Sequence, residues 1–213
     1  ADRPKQYETL FPNFVQMLRS QFNQGDLPFY YVQIAPFDYN SSKKKGDTLL
    51  NSAFLRDAQR KALDKIPNSG MAVTMDIGDA GFIHPREKQE IGKRLALQAL
   101  AKTYQYKGFA SEGPLYESMT IKEGKAIVKF KNAPVGLTSY GKPITQFEIA
   151  GEDQKFYPAT AQLVNGAVEI SSKEVKNPVA VRYAFKDDST GELFNTAGFP
   201  ASSFRTDDWE IPV

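Results

Sequence analysis

PFYYVQIAPF, residues 28 to 37, decides the fold. It is a short, β-rich apolar run without alternation of apolar and polar side chains. Such a run suits a strand covered on both faces, as in a parallel sheet flanked by helices. MAVTMDI, residues 71 to 77, is a second run of the same kind. Before the first run, Tyr7, Leu10, Phe11, Phe14, Val15, Leu18 and Phe22 recur at helical spacing, which predicts an amphipathic helix over 6–23, broken by Gly25-Asp26. Between the two runs lies a polar loop, 38–50, then a predicted helix over 52–66 with Phe54, Leu55, Ala58, Ala62 and Ile66 mostly on one face, stopped by Asn68-Ser69-Gly70. After the second run, Pro85 suits the first turn of a third helix, continued by Ile91, Leu95, Leu97 and Leu100. The order α-β-α-β-α is the rhythm of an α/β layer with right-handed crossovers.

From about residue 107 the pattern changes to strict alternation. Ala126, Val128 and Phe130 share one face of a strand; Phe147 and Ile149 flank Glu148; Val168 and Ile170 flank Glu169; Val179, Val181, Tyr183 and Phe185 lie opposite Arg182. Glu123-Gly124 and Asn165-Gly166 are turn signals between short strands. This predicts an antiparallel, jelly-roll-like β-sandwich over 107–213, after an α/β region over 1–106.

The composition excludes several classes of function. A chain of 213 residues with 27 basic and 25 acidic side chains, net charge +2, lacks the clustered basic excess of a nucleic-acid surface. Its one basic run, Lys43-Lys44-Lys45, reads as a solvated loop. No apolar run approaches the length of a membrane span, and no signal-peptide pattern opens the sequence. Without cysteine there is no disulfide framework and no thiolate ligand or nucleophile, and with one histidine a zinc site is not expected. No glycine-rich phosphate loop is present, and no cofactor is expected.

Two clear strands with three helices cannot cover both faces of a parallel sheet or protect its edges, so the α/β region is expected to be incomplete, its remaining strands coming from a further part of the polypeptide or from a partner chain. The chemistry centres on His84, the only histidine, in MDIGDAGFIHPREKQ, residues 75 to 89. It follows an apolar strand by a short loop and precedes a predicted helix, and open α/β sheets place their ligand crevice at the carboxyl ends of the strands. A nearby helix start disfavours the imidazolium, which would leave the ring ready to accept a proton. Asp76 and Asp79 are both candidates to orient it. The simpler alternative is a surface histidine, with the aspartates as caps.

Four stretches in order carry a resemblance: YETLFPNFVQMLRSQFNQGDLPFYYVQIAPF (7–37), LRDAQRKALDKIPNSGMAV (55–73), GMAVTMDIGDAGFIHPREKQEIGKRLA (70–96) and GELFNTAGFPASSFRTDDW (191–209). Together they resemble the sialate O-acetylesterases of the SGNH-hydrolase superfamily. The resemblance implies that 1–106 is the C-terminal half of a three-layer α/β/α SGNH-type domain. It also implies a reaction, hydrolysis of acetyl esters on sugar hydroxyls, notably those of sialic acids, in which a serine attacks, His84 relays its proton and backbone and side-chain donors hold the oxyanion. Many members of the superfamily carry an aspartate three residues before the histidine. Here that position is Gly81, which leaves the acid to Asp76, Asp79 or a backbone carbonyl. The family's serine and oxyanion donors belong to an earlier segment, and Ser69, Ser111 and Ser118 read as turn or surface serines. The chain is therefore expected to supply the base but not the nucleophile, and to be inactive alone. Its partners would be an O-acetylated sugar and the missing N-terminal half or a chain that completes the sheet. Its location would be secreted or periplasmic.

The resemblance also puts the helix bearing Arg56 and Gln59 beside the crevice, where either side chain could meet the sugar, although a structural hydrogen bond is the favoured reading of Gln59 and of the strand residue Gln33. FRTDDW, 204–209, offers Arg205 and Trp209 as a sugar-facing set, with packing and an Arg205 pair to Asp207 or Asp208 as the favoured alternative. Two other readings of the whole chain are a carbohydrate-binding module whose working part is the β region, and an interaction fragment that completes its sheet with another chain.

Overall fold

The computed structural model describes residues 3–44 and 51–209; Lys45 of the basic run and the rest of its loop to residue 50 lie outside the described residues. Helix α1 spans Pro4–Phe22, started by a proline that gives up no needed hydrogen bond and stopped at Asn23 in the left-handed conformation, φ 50°. Strand β1 spans Phe29–Val32, helix α2 Ala53–Lys65, strand β2 Ser69–Ala72 and helix α3 Lys88–Gln98, which runs into a π-helical turn, Ala99–Thr103. β1 and β2 pair in parallel, Phe29 opposite Ser69 through Val32 opposite Ala72.

Both strands are shorter than the apolar runs that predict them, and the reason is local. Past Ala72 the Thr74 hydroxyl, not the main chain, donates to the Gln33 carbonyl at 2.6 Å. Helix α3 likewise begins later than Pro85. The Lys88 N–H donates to Arg86 O at 2.8 Å in a tight turn, so the first helical bond is Ile91 N–H to Glu87 O. Pro85 therefore sits in the loop, and His84 lies four residues before the helix.

Side chains meet the outer edges of this parallel pair at a few main-chain groups. On β1 the Gln59 amide accepts from Ile34 N–H at 3.0 Å and donates to Val32 O at 3.3 Å, as a neighbouring strand would. On β2 the Lys102 ammonium bonds Ser69 O at 3.0 Å and the Arg94 guanidinium bonds Val73 O. The apolar pattern of α1 divides: Val15 is buried, whereas Leu10, Phe14 and Phe22, predicted on the same stripe, are 62%, 47% and 62% exposed.

The second region holds β3 (Leu115–Lys122), β4 (Lys125–Lys131), β5 (Leu137–Thr138), β6 (Phe147–Ala150), β7 (Phe156–Pro158), β8 (Thr160–Val164), β9 (Ala167–Ser171), β10 (Ala180–Tyr183), β11 (Phe194–Asn195) and β12 (Phe204–Arg205). They form two four-stranded antiparallel sheets, ordered β3-β4-β9-β8 and β12-β10-β6-β7, and a short β5-β11 pair. The turns read from Glu123-Gly124 and Asn165-Gly166 close the β3–β4 and β8–β9 hairpins; all four residues have positive φ, the type I′ geometry that matches strand twist. The alternation holds for Ala126, Val128, Phe147, Ile149, Val168 and Ile170, all buried, while Val179 falls just before β10 and is exposed.

One cluster of buried apolar side chains runs from Val15 to Phe204. Phe204 is its junction. The ring is fully buried and packs on Tyr116 and Phe130 of one sheet and on Phe147 and Tyr183 of the other, with ring centroids 4.9, 5.7, 6.3 and 6.0 Å away. Phe204→Ala is expected to cost about 3–5 kcal/mol, the usual price of an aromatic cavity in a packed core, and to lower the urea midpoint of the chain with its slope unchanged.

Candidate active site

The carboxyl ends of β1 and β2 feed two loops that lean on each other. Phe37 N–H donates to Asp187 O at 3.0 Å, Asp38 N–H to Ala80 O at 3.2 Å, and Gly191 N–H to Met75 O at 2.8 Å. Gly78 permits this approach, since a Cβ there would stand 2.5–2.7 Å from atoms of Pro36. The loop after β2 thus has one wall from the β1 loop and another from residues 187–191 of the β region.

His84 lies at the exposed end of this loop, its ring edge-on to Phe82 at 5.7 Å, and Arg86 stacks over the same phenylalanine at 5.8 Å. Both candidate carboxylates have other partners. Asp76 receives a bidentate pair from Arg94, at 2.7 and 2.6 Å, and the same guanidinium bonds Glu90 at 3.2 Å. Burial alone would lower the Arg94 pKa, but Asp76 and Glu90 outweigh it and hold it above the ordinary value. Asp79 turns back on its own loop, one oxygen accepting from Gly81 N–H at 2.9 Å. The structure therefore brings Asp76, Asp79 and His84 onto one loop without a hydrogen bond from the imidazole to either carboxylate.

Arg56, Gln59 and Arg205 are buried, 0%, 4% and 8% exposed. Arg56 donates to Ser203 Oγ at 3.2 Å, Ser52 Oγ at 3.1 Å, Asp187 O at 3.2 Å and Lys186 O. Burial lowers its pKa to about 10, against the opposing charge of Asp187, so the guanidinium stays charged at neutral pH. Gln59 caps the edge of β1 as described. Gln33 donates to Arg56 O at 3.0 Å and to Ser202 Oγ at 2.8 Å, a buried and structural amide. Arg205 bonds Asp57 at 3.3 Å, Asp207 at 3.3 Å and Trp209 O at 2.9 Å, while Trp209 packs on Phe156 at 5.5 Å. Asp57 and Asp187 escaped the sequence reading. Asp57 is nearly buried and meets Arg60 at 2.7 Å, Lys61 at 2.8 Å and Arg205; its spacing to Arg60 and Lys61, i+3 and i+4, was the available signal. Among the described residues no group of three or more His, Asp or Glu side chains converges as a metal site requires. No described helix is long and apolar enough to cross a membrane.

Comparison with known proteins defines the class first. The fold matches the crystal structure of a novel carbohydrate acetylesterase from Xanthomonas citri with a TM-score of 0.87 and 36% identity, over 96% of this chain and 46% of that one. In sequence the chain is 30% identical to the sialate O-acetylesterases of Homo sapiens and Pongo abelii over 162 residues, 71% of this chain, and 32% identical to that of Mus musculus over 126 residues. The chain is a relative of the sialate O-acetylesterase family, and it spans 29% of the length of the human protein. No family model matches it.

Asp57 ties α2 to β12 through Arg205. Burial by itself would raise its pKa, but Arg60 and Lys61 outweigh that and hold the carboxyl below its ordinary value. A carboxylate with a depressed folded-state pKa contributes stability that is complete above about pH 4, its unfolded value, and is lost as pH falls through the folded value. Asp57→Asn is expected to destabilise the chain by about 1–3 kcal/mol near neutral pH, where Arg205 loses one of two carboxylate partners and keeps Asp207, and the gap to the parent is expected to shrink on acidification. Urea unfolding across an acid pH series checks both the size and the sign.

Proposed function

We propose that this chain is the histidine-bearing part of a carbohydrate O-acetylesterase. The observation that carries this reading is the match over 96% of the chain to a carbohydrate acetylesterase, with His84 on the loop after β2, at the carboxyl end of the parallel pair. In this reading residues 1–106 are the C-terminal half of an SGNH-type three-layer α/β/α domain, and 107–213 are a jelly-roll-like β-sandwich domain sharing its core. The remaining strands, the serine and the oxyanion donors come from a further segment of the same protein, which packs on the exposed apolar side of α1, where Leu10 is 62%, Phe14 47% and Met17 47% exposed.

His84 is the general base. It takes the serine proton as the oxygen attacks the acetyl carbonyl, returns it to the leaving sugar hydroxyl, and repeats the exchange with water to release acetate. Asp79 is the better candidate to orient the ring, because both oxygens of Asp76 are bound to Arg94 while Asp79 spends one oxygen on its own loop. Arg56, Gln59 and Arg205, whose polar groups are engaged within the protein, serve as positioning residues: they hold α2, β1 and β12 as the walls of the crevice. The substrate is an O-acetylated sugar, with O-acetyl sialic acid the first to test, and the protein acts outside the cytoplasm, secreted or periplasmic.

The test is acetate release from O-acetylated sialic acid and from acetylated neutral sugars by this chain and by the protein including the further segment, each with and without His84→Ala. The longer protein is expected to be active and to lose roughly four to six orders of magnitude in kcat with His84→Ala, the scale for removing a catalytic base. Activity of the 213-residue chain alone that depends on His84 would place the nucleophile within these residues and overturn the division proposed here.

A further inference from the structure

A cavity of about 640 Å³ opens beside the loop that leads to His84. Asp76 forms one wall; the others come from the β region, from Tyr140 and Lys142 of the β5–β6 connection and from Asp188, Ser189 and Thr190. None of these β-region residues belongs to the proposed hydrolytic machinery. Their side chains offer an aromatic ring, hydroxyls, a carboxylate and an ammonium. A pyranose presents an apolar face of C–H groups and a rim of hydroxyls, and it fits a site with one aromatic face and a few hydroxyl, carboxylate and ammonium partners.

Tyr140 is built as such a face. It sits at the first central position of a turn closed by Lys142 N–H to Ser139 O at 3.1 Å, with φ 53° at Tyr140 and 75° at Gly141. A left-handed tyrosine is an uncommon choice for that position, where asparagine or glycine is favoured. The turn is nonetheless fixed. Thr138 Oγ1 accepts from Tyr140 N–H at 2.9 Å, and the ring leans on Phe194 at 5.2 Å. Yet the residue remains 60% exposed, so one ring face is supported and a large part of the side chain is open.

The charges around the cavity divide into spent and available ones. Asp76 is held by Arg94, Lys186 pairs with Glu148 at 3.2 Å, and Glu192 accepts from Thr145 N–H and hydroxyl at 2.6 and 2.8 Å. Lys142 and Asp188 have no ion-pair partner among the described residues. A carboxylate accepts from paired sugar hydroxyls, and an ammonium donates to a ring or hydroxyl oxygen or to a sugar carboxylate.

We infer that this cavity binds a hexopyranose unit of the glycan, stacked on Tyr140 and hydrogen-bonded by Asp188 and Lys142, so that the β region helps select the sugar whose ester faces His84. The link to the ester rests on the function proposed above; the sugar site itself does not.

The experiment is saturation-transfer NMR and calorimetry on the 213-residue chain with unacetylated lactose, sialyllactose and cellotetraose, probes that carry no scissile ester. Binding of at least one is expected, weakened by about tenfold or more in Tyr140→Ala and in Asp188→Asn. Tyr140→Asn keeps the turn's preferred chemistry while removing the large ring, and its thermal unfolding identifies any loss that comes from misfolding instead. If no probe binds the folded chain, or if binding survives loss of the Tyr140 ring, the inference fails. A failure of the esterase reading has a different signature, sugar binding intact with no acetate released by the longer protein.

Discussion

The buried Arg56 guanidinium is the interaction on which the arrangement depends. It sits on α2, is fully enclosed, and reaches two serine hydroxyls and the carbonyls of Lys186 and Asp187. A charge in that position is tolerated only if its donors are met, and they are met from both regions of the chain at once. α2 cannot shift against 186–187 or Ser203 without stranding the cation. The same contacts fix the segment that leans on both loops at the carboxyl ends of β1 and β2, through Phe37 N–H to Asp187 O and Gly191 N–H to Met75 O. Removing Arg56 would therefore disturb the loop that carries His84 without touching it.

Much of the fold was legible because its signals are local. Unalternated apolar runs marked β1 and β2, helical spacing marked α1 and α2, and Glu-Gly and Asn-Gly pairs marked two hairpins whose backbone has the expected positive φ. The errors are also local in cause. Pro85 looked like a helix start, but a tight turn at Arg86–Lys88 delays α3. Leu10, Phe14 and Phe22 obey the helical period and are exposed, because periodicity reports which side chains share a face and not what covers that face.

The site was less legible. A lone histidine after an apolar strand draws attention on its own, and the structure sets it on the long connection between β2 and α3. The partners of the carboxylates were not readable. Arg94 takes Asp76 from 18 residues away, and Asp57 meets Arg205 across 148 residues. Pairings at such separations depend on tertiary packing and leave no spacing in the sequence. Arg56 and Gln59 draw attention through the resemblance that sets their helix beside the crevice, and Arg205 through its place beside Trp209 in FRTDDW, but neither pattern distinguishes a group aimed at substrate from one satisfied inside the protein.

Gln59 shows how one buried amide can do more than satisfy itself. By bonding Ile34 N–H and Val32 O it occupies the outer edge of β1 at its carboxyl end. A strand added alongside β1 can then pair only with the earlier residues, and must part from it before Ile34. Parallel strands that separate at their carboxyl ends create the crevice in which open α/β sheets bind their ligands. The cap on the other side differs in kind. Arg94 and Lys102 close the far edge of β2 with charge, and Arg94 also holds Asp76 at the root of the His84 loop. A neutral amide thus meets the β1 edge where the strand ends, and charge meets two carbonyls of the β2 edge. In the function proposed above, a completing strand would add on the β1 side, and what it brings would arrive beside the loop bearing His84.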